Sequence, residues 1–132
     1  MIQINREISE KIVGHAMNEL PNEACGYLAG QDGIVVKAFE MTNTDKSPEH
    51  FSFDPSEQFG VFREVRKLGL SIIANYHSHP STPSRPSEED IRLAYDPDIS
   101  YVIISLAEND PVIRSFKIQN GKLEEEELTT LK

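Results

Sequence analysis

A predicted strand that ends in two histidines constrains this chain more than any other feature. The apolar run 70–74 (LSIIA), bounded by Gly69 before it and by Pro80 beyond the histidines, predicts a buried strand. Side chains two residues apart on a strand lie on the same face, so His77 and His79 are expected to project together at its carboxyl end. The sequence therefore places two imidazoles side by side at the end of a buried strand.

A helix start follows this pair after a short, stiff loop. Residues 80–86 (PSTPSRP) are too rich in proline and serine for regular structure. Ser87, with Asp90 three residues later and apolar residues behind it, matches the capping-box signature of a helix N-terminus. Two imidazoles would therefore face one carboxylate across the loop. Three ligands of these types leave a fourth position open, which is the pattern of catalytic rather than structural zinc.

The spacing of these residues matches a known family. His77-x-His79, seven residues, Ser87, two residues and Asp90 form the signature of the JAMM (MPN-plus) metalloproteases. The family also has a glutamate near the end of the first helix, and Glu23 stands there in a similar local context. The chain resembles the family from that helix to the strand after Asp90, although residues 74–76 (ANY), which border the cleft, depart from its usual pattern.

The resemblance implies a fold, a metal and a role for each residue. The fold is the cytidine-deaminase-like α/β/α sandwich of the JAMM/MPN core, in which helices flank a mixed sheet. Zn²⁺ held by His77, His79 and Asp90 would lower the pKa of its water to about 7. Glu23 would take the proton of that water and return it to the leaving amine. Ser87 would donate to the oxyanion, a role compatible with its predicted N-cap position.

The remaining pattern predicts one α/β or α+β domain over residues 1–132. Asn5 is expected to cap a helix from Arg6 to about Leu20 with Leu20 on its inner face. Asp54 is expected to cap a second helix, whose inward residues are Phe59, Phe62, Val65 and Leu68. Strands are predicted over residues 24–29, 34–41, 50–53, 101–106, 112–118 and 122–128, with Asn120-Gly121 as the last hairpin turn.

Other polar side chains are interpreted without a role in the chemistry. His15 is expected at the surface or half-buried, and His50 has no partner at ligand spacing. Ser78 points away from the histidines on its strand and is expected to orient the loop that follows. Cys25 is expected to be a small buried residue, and a redox or metal role for it stays open. The acidic run 124–127 is expected on a solvated edge strand.

Composition limits the partners and the compartment. A formal net charge of −9 argues against binding to nucleic acid or to an anionic membrane surface. No apolar stretch approaches about 20 residues, so no membrane-spanning segment is expected. A single cysteine rules out an internal disulfide and indicates a reducing, cytoplasmic compartment. The oligomeric state stays open.

The resemblance also implies a class of substrate. JAMM enzymes cleave peptide or isopeptide bonds after the C-terminal glycines of ubiquitin-like proteins. About ten residues separate Asp90 from the next predicted strand, which leaves no room for the insertion that ubiquitin-chain enzymes carry there. The chain therefore resembles the compact bacterial members, several of which process small ubiquitin-like sulfur-carrier proteins.

Four other classes of protein share part of this motif or of this fold. A non-haem iron oxygenase also binds its metal through two histidines and a carboxylate, but the alternation of helix and strand does not suggest the double-stranded β-helix expected of it. A zinc deaminase requires a Pro-Cys-x-x-Cys motif, which a chain with one cysteine lacks. A DNA-repair-associated branch shares the spacing but usually has His-Asn-His and a further N-terminal domain. A catalytically inactive scaffold of the same fold would have lost ligands, whereas all five positions are intact here.

Overall fold

A computed structural model describes residues 1–131 of the chain. The helices are α1 (Arg6–Asn18), α2 (Pro55–Lys67) and α3 (Glu88–Arg92). The strands are β1 (Ile2–Asn5), β2 (Cys25–Gln31), β3 (Ile34–Met41), β4 (Ser71–His79), β5 (Ser100–Ser105), β6 (Val112–Gln119), β7 (Lys122–Glu126) and β8 (Leu128–Leu131). Hairpins and helices therefore alternate along the chain as the pattern predicts.

The strands form one mixed sheet in the order β7-β6-β5-β4-β2-β3-β1-β8. The strand with the histidines, β4, lies inside the sheet, antiparallel to β2 and parallel to β5. Strands β7 and β8 lie at opposite ends of this order although only Glu127 separates them in the chain, so the sheet must curl. The amino group of Met1, beside β1, accordingly lies 3.4 Å from the Glu126 carboxylate on β7.

Helices cover both faces of the sheet. On one face α1 buries Ile8 and Ile12 against Tyr76 of β4 and its neighbours. On the other face Val61 of α2 and Ile91, in α3, pack against two further apolar clusters of the sheet. This arrangement is the predicted α/β/α layering, with the histidines of β4 on the face shared by α2 and α3.

Side-chain caps fix where the first two helices begin. The Ile8 N–H donates to Asn5 Oδ1 at 2.7 Å, so α1 starts at residue 6. The amides of Ser56 and Glu57 both donate to Asp54 Oδ1, so α2 starts at residue 55. Both starts were predicted from the same cap residues.

Residue patterns misassigned the buried side of α2. Phe59 is 71% exposed, Phe62 46% and Leu68 47%, and of the four residues expected inward only Val65 is buried. The helix rests on the sheet along one narrow stripe, in which Val61 packs one turn before Val65. The two phenylalanines lie outside this stripe, so the prediction that they belong to the core is wrong.

The structure also differs from the predicted elements near both chain ends and in residues 43–53. No residue pattern predicted β1, which pairs in parallel with β3 and β8. The predicted strand 50–53 is reduced to a single bridge between Asn43 and Phe53. Helix α1 stops at residue 18, and Leu20 is therefore 48% exposed. The acidic run divides between edge strand β7 and the link to β8.

Across residues 1–131, no helix combines the length and the apolar composition needed to cross a membrane.

Candidate active site

Three side chains from two elements converge at the carboxyl end of β4. His77 and His79 end that strand, and Asp90 lies in the first turn of α3. Their ligand atoms, His77 Nε2, His79 Nε2 and Asp90 Oδ2, lie 3.2 Å apart in each of the three pairs. Within the described residues this is the one group of three or more histidine, cysteine or acidic side chains close enough to share an ion.

The size of this triangle is the size that tetrahedral zinc requires. Zinc bonds to histidine nitrogen and carboxylate oxygen at about 2.0–2.2 Å, so neighbouring ligand atoms around a tetrahedral ion lie about 3.3 Å apart. The observed separations of 3.2 Å agree with that edge length. Three of the four corners are therefore supplied by protein, and the donor set of two nitrogens and one oxygen fits Zn²⁺.

His79 is held in the tautomer that a metal ligand needs. Its ring is 5% exposed, and its Nδ1–H donates to the Pro83 carbonyl at 2.8 Å. Because a carbonyl can only accept, the neutral ring keeps its lone pair on Nε2, the atom in the triangle. The protonated ring donates from both nitrogens: burial acts to lower the pKa of His79, but the hydrogen bonds of the imidazolium to Asp90 and to the Pro83 carbonyl raise that pKa above its ordinary value when no metal is bound.

The capping box aims the third ligand. The Asp90 N–H donates to Ser87 Oγ at 3.0 Å, and the Ser87 N–H donates to Asp90 Oδ2 at 2.9 Å. Burial acts to raise the pKa of Asp90, but hydrogen bonds from His77, His79 and the Ser87 amide outweigh it and hold that pKa well below its usual range. The carboxylate is therefore ionised, as a metal ligand must be.

His77 is fixed by stacking, in a way the sequence did not predict. Its ring lies 4.8 Å from the ring of Phe51 at an interplanar angle of 28°. His77 is 3% exposed, and its Nδ1 is buried with no hydrogen-bond partner among residues 1–131. The stacking contact with Phe51 thus orients this imidazole.

Glu23 lies beside the triangle without belonging to it. Strand β2 pairs Cys25 with His77, which brings residue 23 alongside the end of β4. The Glu23 side chain is 2% exposed, and its Oε1 is buried with no partner among the described residues. Burial raises the pKa of Glu23 to about 8, with His79 opposing and Asp90 adding to the shift. A buried carboxyl next to three ligand atoms is suited to accept and return a proton.

Ser87 occupies the predicted N-cap of α3 at the exposed rim of the site. Its hydroxyl oxygen accepts from the Asp90 amide, which leaves the hydroxyl hydrogen available to donate elsewhere. The same serine can therefore cap the helix and donate to a group in the cleft.

Ser78 has a different partner from the one predicted. It points away from the histidines, as its strand position requires, and it is fully buried. Its Oγ accepts from the Ala24 N–H at 2.8 Å, so it fixes the start of β2 rather than the loop 80–86. A partner more than 50 residues distant in sequence left no local signal.

A cavity of about 500 Å³ opens directly beside the ligands. Its wall includes His77 and Asp90, with aromatic rings contributed from several elements. Those rings belong to Tyr27, Phe51, Phe53, Phe62, Tyr95 and Tyr101. Phe62, predicted to be core, is therefore a cavity-lining residue, and the site continues into an apolar chamber.

Other candidates fall outside the chemistry. Cys25 is fully buried, burial raises the pKa of its thiol to about 12, and it is outside the ligand cluster. His50 also lies outside that cluster; its Nδ1 hydrogen-bonds Asp45 Oδ2 at 3.0 Å. His15 is buried, at 6% exposure, instead of half-buried or at the surface. The reason is a hydrogen bond of 2.7 Å between its Nδ1 and the Tyr76 hydroxyl, across the α1 face of the sheet.

A family model and a characterised relative match most of the chain. The model of prokaryotic homologs of the JAB domain matches residues 5–119. The chain is 35% identical over 131 residues to the CysO-cysteine peptidase of Mycobacterium tuberculosis. That match covers 96% of this chain and 88% of the mycobacterial protein.

Solved structures show the same architecture. A protein from Desulfitobacterium hafniense, known from a solution structure, is 47% identical with a TM-score of 0.92, covering 100% of this chain and 94% of its own. A JAB1/MPN domain protein from Archaeoglobus fulgidus, known from a crystal structure, is 22% identical with a TM-score of 0.69, covering 99% of this chain and 100% of its own. The fold is therefore the JAB/MPN fold, which differs from the double-stranded β-helix expected of the oxygenase alternative.

Proposed function

The chain belongs to the prokaryotic homologs of the JAB domain, and on that premise we propose how this JAMM-type metallopeptidase works and what it cuts. It uses Zn²⁺ held by His77, His79 and Asp90 to hydrolyse the bond after the C-terminal Gly-Gly of a ubiquitin-like sulfur-carrier protein. The observation that carries the proposal is the 3.2 Å triangle of ligand atoms with the buried Glu23 carboxyl beside it.

The metal supplies one part of the chemistry. Zinc at the triangle would polarise the scissile carbonyl and lower the pKa of a water to about 7. The chain supplies the remainder by holding its ligands ionised or in the right tautomer. The Ser87 amide donates to Asp90 Oδ2 and so favours the ionised carboxylate, and the Pro83 carbonyl keeps the lone pair of the neutral His79 ring on Nε2.

Glu23 and Ser87 manage the proton and the developing charge. The Glu23 carboxylate accepts a proton from the attacking water as the C–O bond forms, and returns it to the amine nitrogen as the C–N bond breaks. General acid–base catalysis of this kind contributes about 10²–10⁴-fold. The Ser87 hydroxyl donates to the carbonyl oxygen as it becomes negative, an interaction worth about 3 kcal/mol.

The side chains that line the cleft support an extended substrate tail with small residues at the cut. Phe51 stacks on one side of His77, and Pro86 and Glu89 line the cavity near Asp90. A glycine pair has no side chains to clash with these groups, which favours glycines at the cut. The aromatic wall of the same cavity suits the residues that precede the glycines.

The leaving group is proposed to be small. The mycobacterial relative is named for a cysteine joined to CysO, and this chain is aligned with it over 96% of its length. We therefore expect a single amino acid or a short extension to be released from the carrier. The net charge of −9 gives no support for nucleic acid as a partner, and the single buried cysteine fits a reducing cytoplasm.

The substrate is tested by offering three conjugates side by side and following the products by mass. A carrier ending in Gly-Gly-Cys and a carrier with a short peptide extension should both be cut after the second glycine. Linked ubiquitin chains should be cut poorly or not at all. The matched enzyme control is Glu23→Gln, which keeps shape and hydrogen bonding but cannot shuttle a proton, and should lose about 10²–10⁴-fold in kcat.

Efficient cleavage of ubiquitin chains without action on either carrier fusion would overturn the choice of substrate and leave the metal assignment standing. Full activity of Glu23→Gln would show that the glutamate was chosen wrongly.

A further inference from the structure

The segment that carries Glu23 has no regular structure of its own. Residues 19–24 lie between α1 and β2, so no helix or strand positions the glutamate. Hydrogen bonds to other parts of the chain hold the backbone around Glu23 instead, and one of them is donated by the Ser78 N–H to the Ala24 carbonyl at 3.0 Å. The Glu23 N–H donates to the Ser47 carbonyl (2.8 Å), the Asn43 Nδ2 donates to the Glu23 carbonyl (3.0 Å), and the Ala24 N–H donates to Ser78 Oγ (2.8 Å).

Among the groups that hold Glu23, the Asn43 side chain forms hydrogen bonds with both its amide nitrogen and its amide oxygen. Besides Glu23, its Nδ2 donates to the His50 carbonyl at 3.1 Å. Its Oδ1 accepts from the amides of Asp45 (3.0 Å) and Ser52 (3.3 Å). Asn43 is 5% exposed. Replacing its side chain would therefore leave the Glu23 and His50 carbonyls and the Asp45 and Ser52 amides without a hydrogen-bond partner at a place that water hardly reaches.

The segment that Asn43 closes is the one that orients a metal ligand. Residues 43–53 are joined at their ends by a bridge between Asn43 and Phe53. Phe51, between the residues that bond Asn43, stacks on His77. One side chain thus links the backbone of Glu23 to the wall that fixes an imidazole of the triangle.

We infer that Asn43 is a positioning residue, which sets Glu23 and the Phe51–His77 stack in register with each other. The inference rests on the proposed role of Glu23 as proton acceptor. Groups that orient active-site ligands from outside typically change activity or metal affinity by about 10–100-fold when replaced. Asn43 touches no reacting atom and acts through Glu23 and Phe51.

Two replacements separate this role from general support of the loop. Asn43→Asp keeps the oxygen that accepts from Asp45 and Ser52 but puts a second acceptor opposite the carbonyls of Glu23 and His50. Asn43→Ala removes the whole amide without adding charge, and covers the case in which the charge itself disturbs the site. Both should lower kcat by about 10–100-fold while KM changes less than kcat.

The matched control is Thr44→Val, in the same loop. Thr44 Oγ1 donates to the Ser52 carbonyl at 3.1 Å, so its removal loosens the loop without touching Glu23. This variant should melt slightly lower than the parent and keep its kcat. If Thr44→Val and Asn43→Ala lost kcat equally, Asn43 would be only a structural staple, and the inference would fail.

A double-mutant cycle with Glu23→Gln tests whether Asn43 acts through the glutamate. On the residual activity of Glu23→Gln, adding Asn43→Asp should cost clearly less than it does in the wild type, because the glutamate can no longer move a proton and only the effect through the Phe51–His77 stack remains. Additive losses would overturn the inference. A fully active Glu23→Gln single variant would instead refute the proposed role of Glu23, so the two failures are distinguishable.

A readout without turnover comes from amide hydrogen exchange in the metal-free protein. Asn43→Asp should speed exchange of the Glu23 amide by at least tenfold, because the two segments that bury it separate more often. Thr44→Val should leave that exchange rate within about twofold of the parent. If the Glu23 amide exchanged at the same rate in Asn43→Asp as in the parent, the Asn43 side chain would not be what holds residues 19–24 in place.

Discussion

Glu23 is a carboxyl group kept where its charge is disfavoured. It is 2% exposed, and burial raises its pKa to about 8 when no cation is present. A cation at the neighbouring ligands would favour the charged form and bring the pKa back toward the working pH. The position of this one residue therefore prepares it to exchange a proton near neutrality, which a surface glutamate with its ordinary pKa could not do.

This property predicts a stability difference in metal-free protein. The folded-state pKa of Glu23 lies near 8 against an ordinary value of 4.5, so between these values the folded state binds more protons than the unfolded state. Stability linked to Glu23 is present below the lower value and is lost as pH rises through the higher one. Glu23→Gln does not titrate, so relative to wild type it should gain on the order of 3 kcal/mol between pH 4.5 and 8.5.

Urea unfolding of both metal-free proteins at the two pH values measures that change. Comparing the variant with wild type at each pH cancels the titration of the other groups. A difference in unfolding free energy that is the same at both pH values would contradict the prediction.

At the scale of elements, the histidine strand is fixed from its back. The Tyr76 ring, next to His77 on β4, fills the space over Gly26 of β2, where an added Cβ would overlap the ring and the Phe39 carbonyl. The Tyr76 hydroxyl also shares a hydrogen bond of 2.7 Å with His15 of α1. Contacts among α1, β4 and β2 thus hold these elements together directly behind the proposed metal ligands.

Gly26→Ala should therefore destabilise the fold by about 1–3 kcal/mol or more, because the ring or the backbone must move to admit a methyl group. Gly60→Ala in α2 is the matched control, since a Cβ there would meet nothing within 4 Å. In a helix interior it should stabilise by about 0.5–1 kcal/mol. Unfolding midpoints in urea compare the two variants. Equal stability would mean that the Tyr76 ring can move aside for a methyl group at residue 26 at little cost in free energy.

At the scale of the whole molecule, the triangle of ligand atoms brings together two elements, β4 and α3, that are separated by a loop in the sequence. Two ligands end an inner strand and the third begins a helix beyond the loop 80–86. An ion that binds only the folded arrangement stabilises it by about 2.7 kcal/mol when present at a hundred times its dissociation constant. A metal bound by these ligands would therefore act as a structural link as well as in the proposed chemistry.

Zinc added to metal-free protein should raise the melting temperature by about 10 °C and bind at about one ion per chain. His79→Ala should lose most of that shift, whereas His50→Ala, a histidine outside the cluster, should keep it. The shift should shrink at low pH because protons compete for the imidazoles. A full zinc response in His79→Ala would rule out the assigned ligands.

The sequence by itself determined the features that depend on neighbours a few residues away. A strand period of two places His77 and His79 together, and a capping box turns Asp90 toward them. The hairpin turn at Asn120-Gly121 follows the same logic, since both residues have positive φ (52° and 75°). These geometries are local, so residue type and spacing are enough to specify them.

Only the tertiary structure decided what depends on distant partners. It placed Phe51 on His77, Ser78 on Ala24 and His15 under Tyr76, and it left Phe59 in solvent. Strand β1 also depends on distant partners. It is a strand because it pairs with β3 and with β8, and β8 lies at the other end of the chain. Burial and pairing are set by surfaces that meet only after the sheet has curled, and no pattern along the chain carries that information.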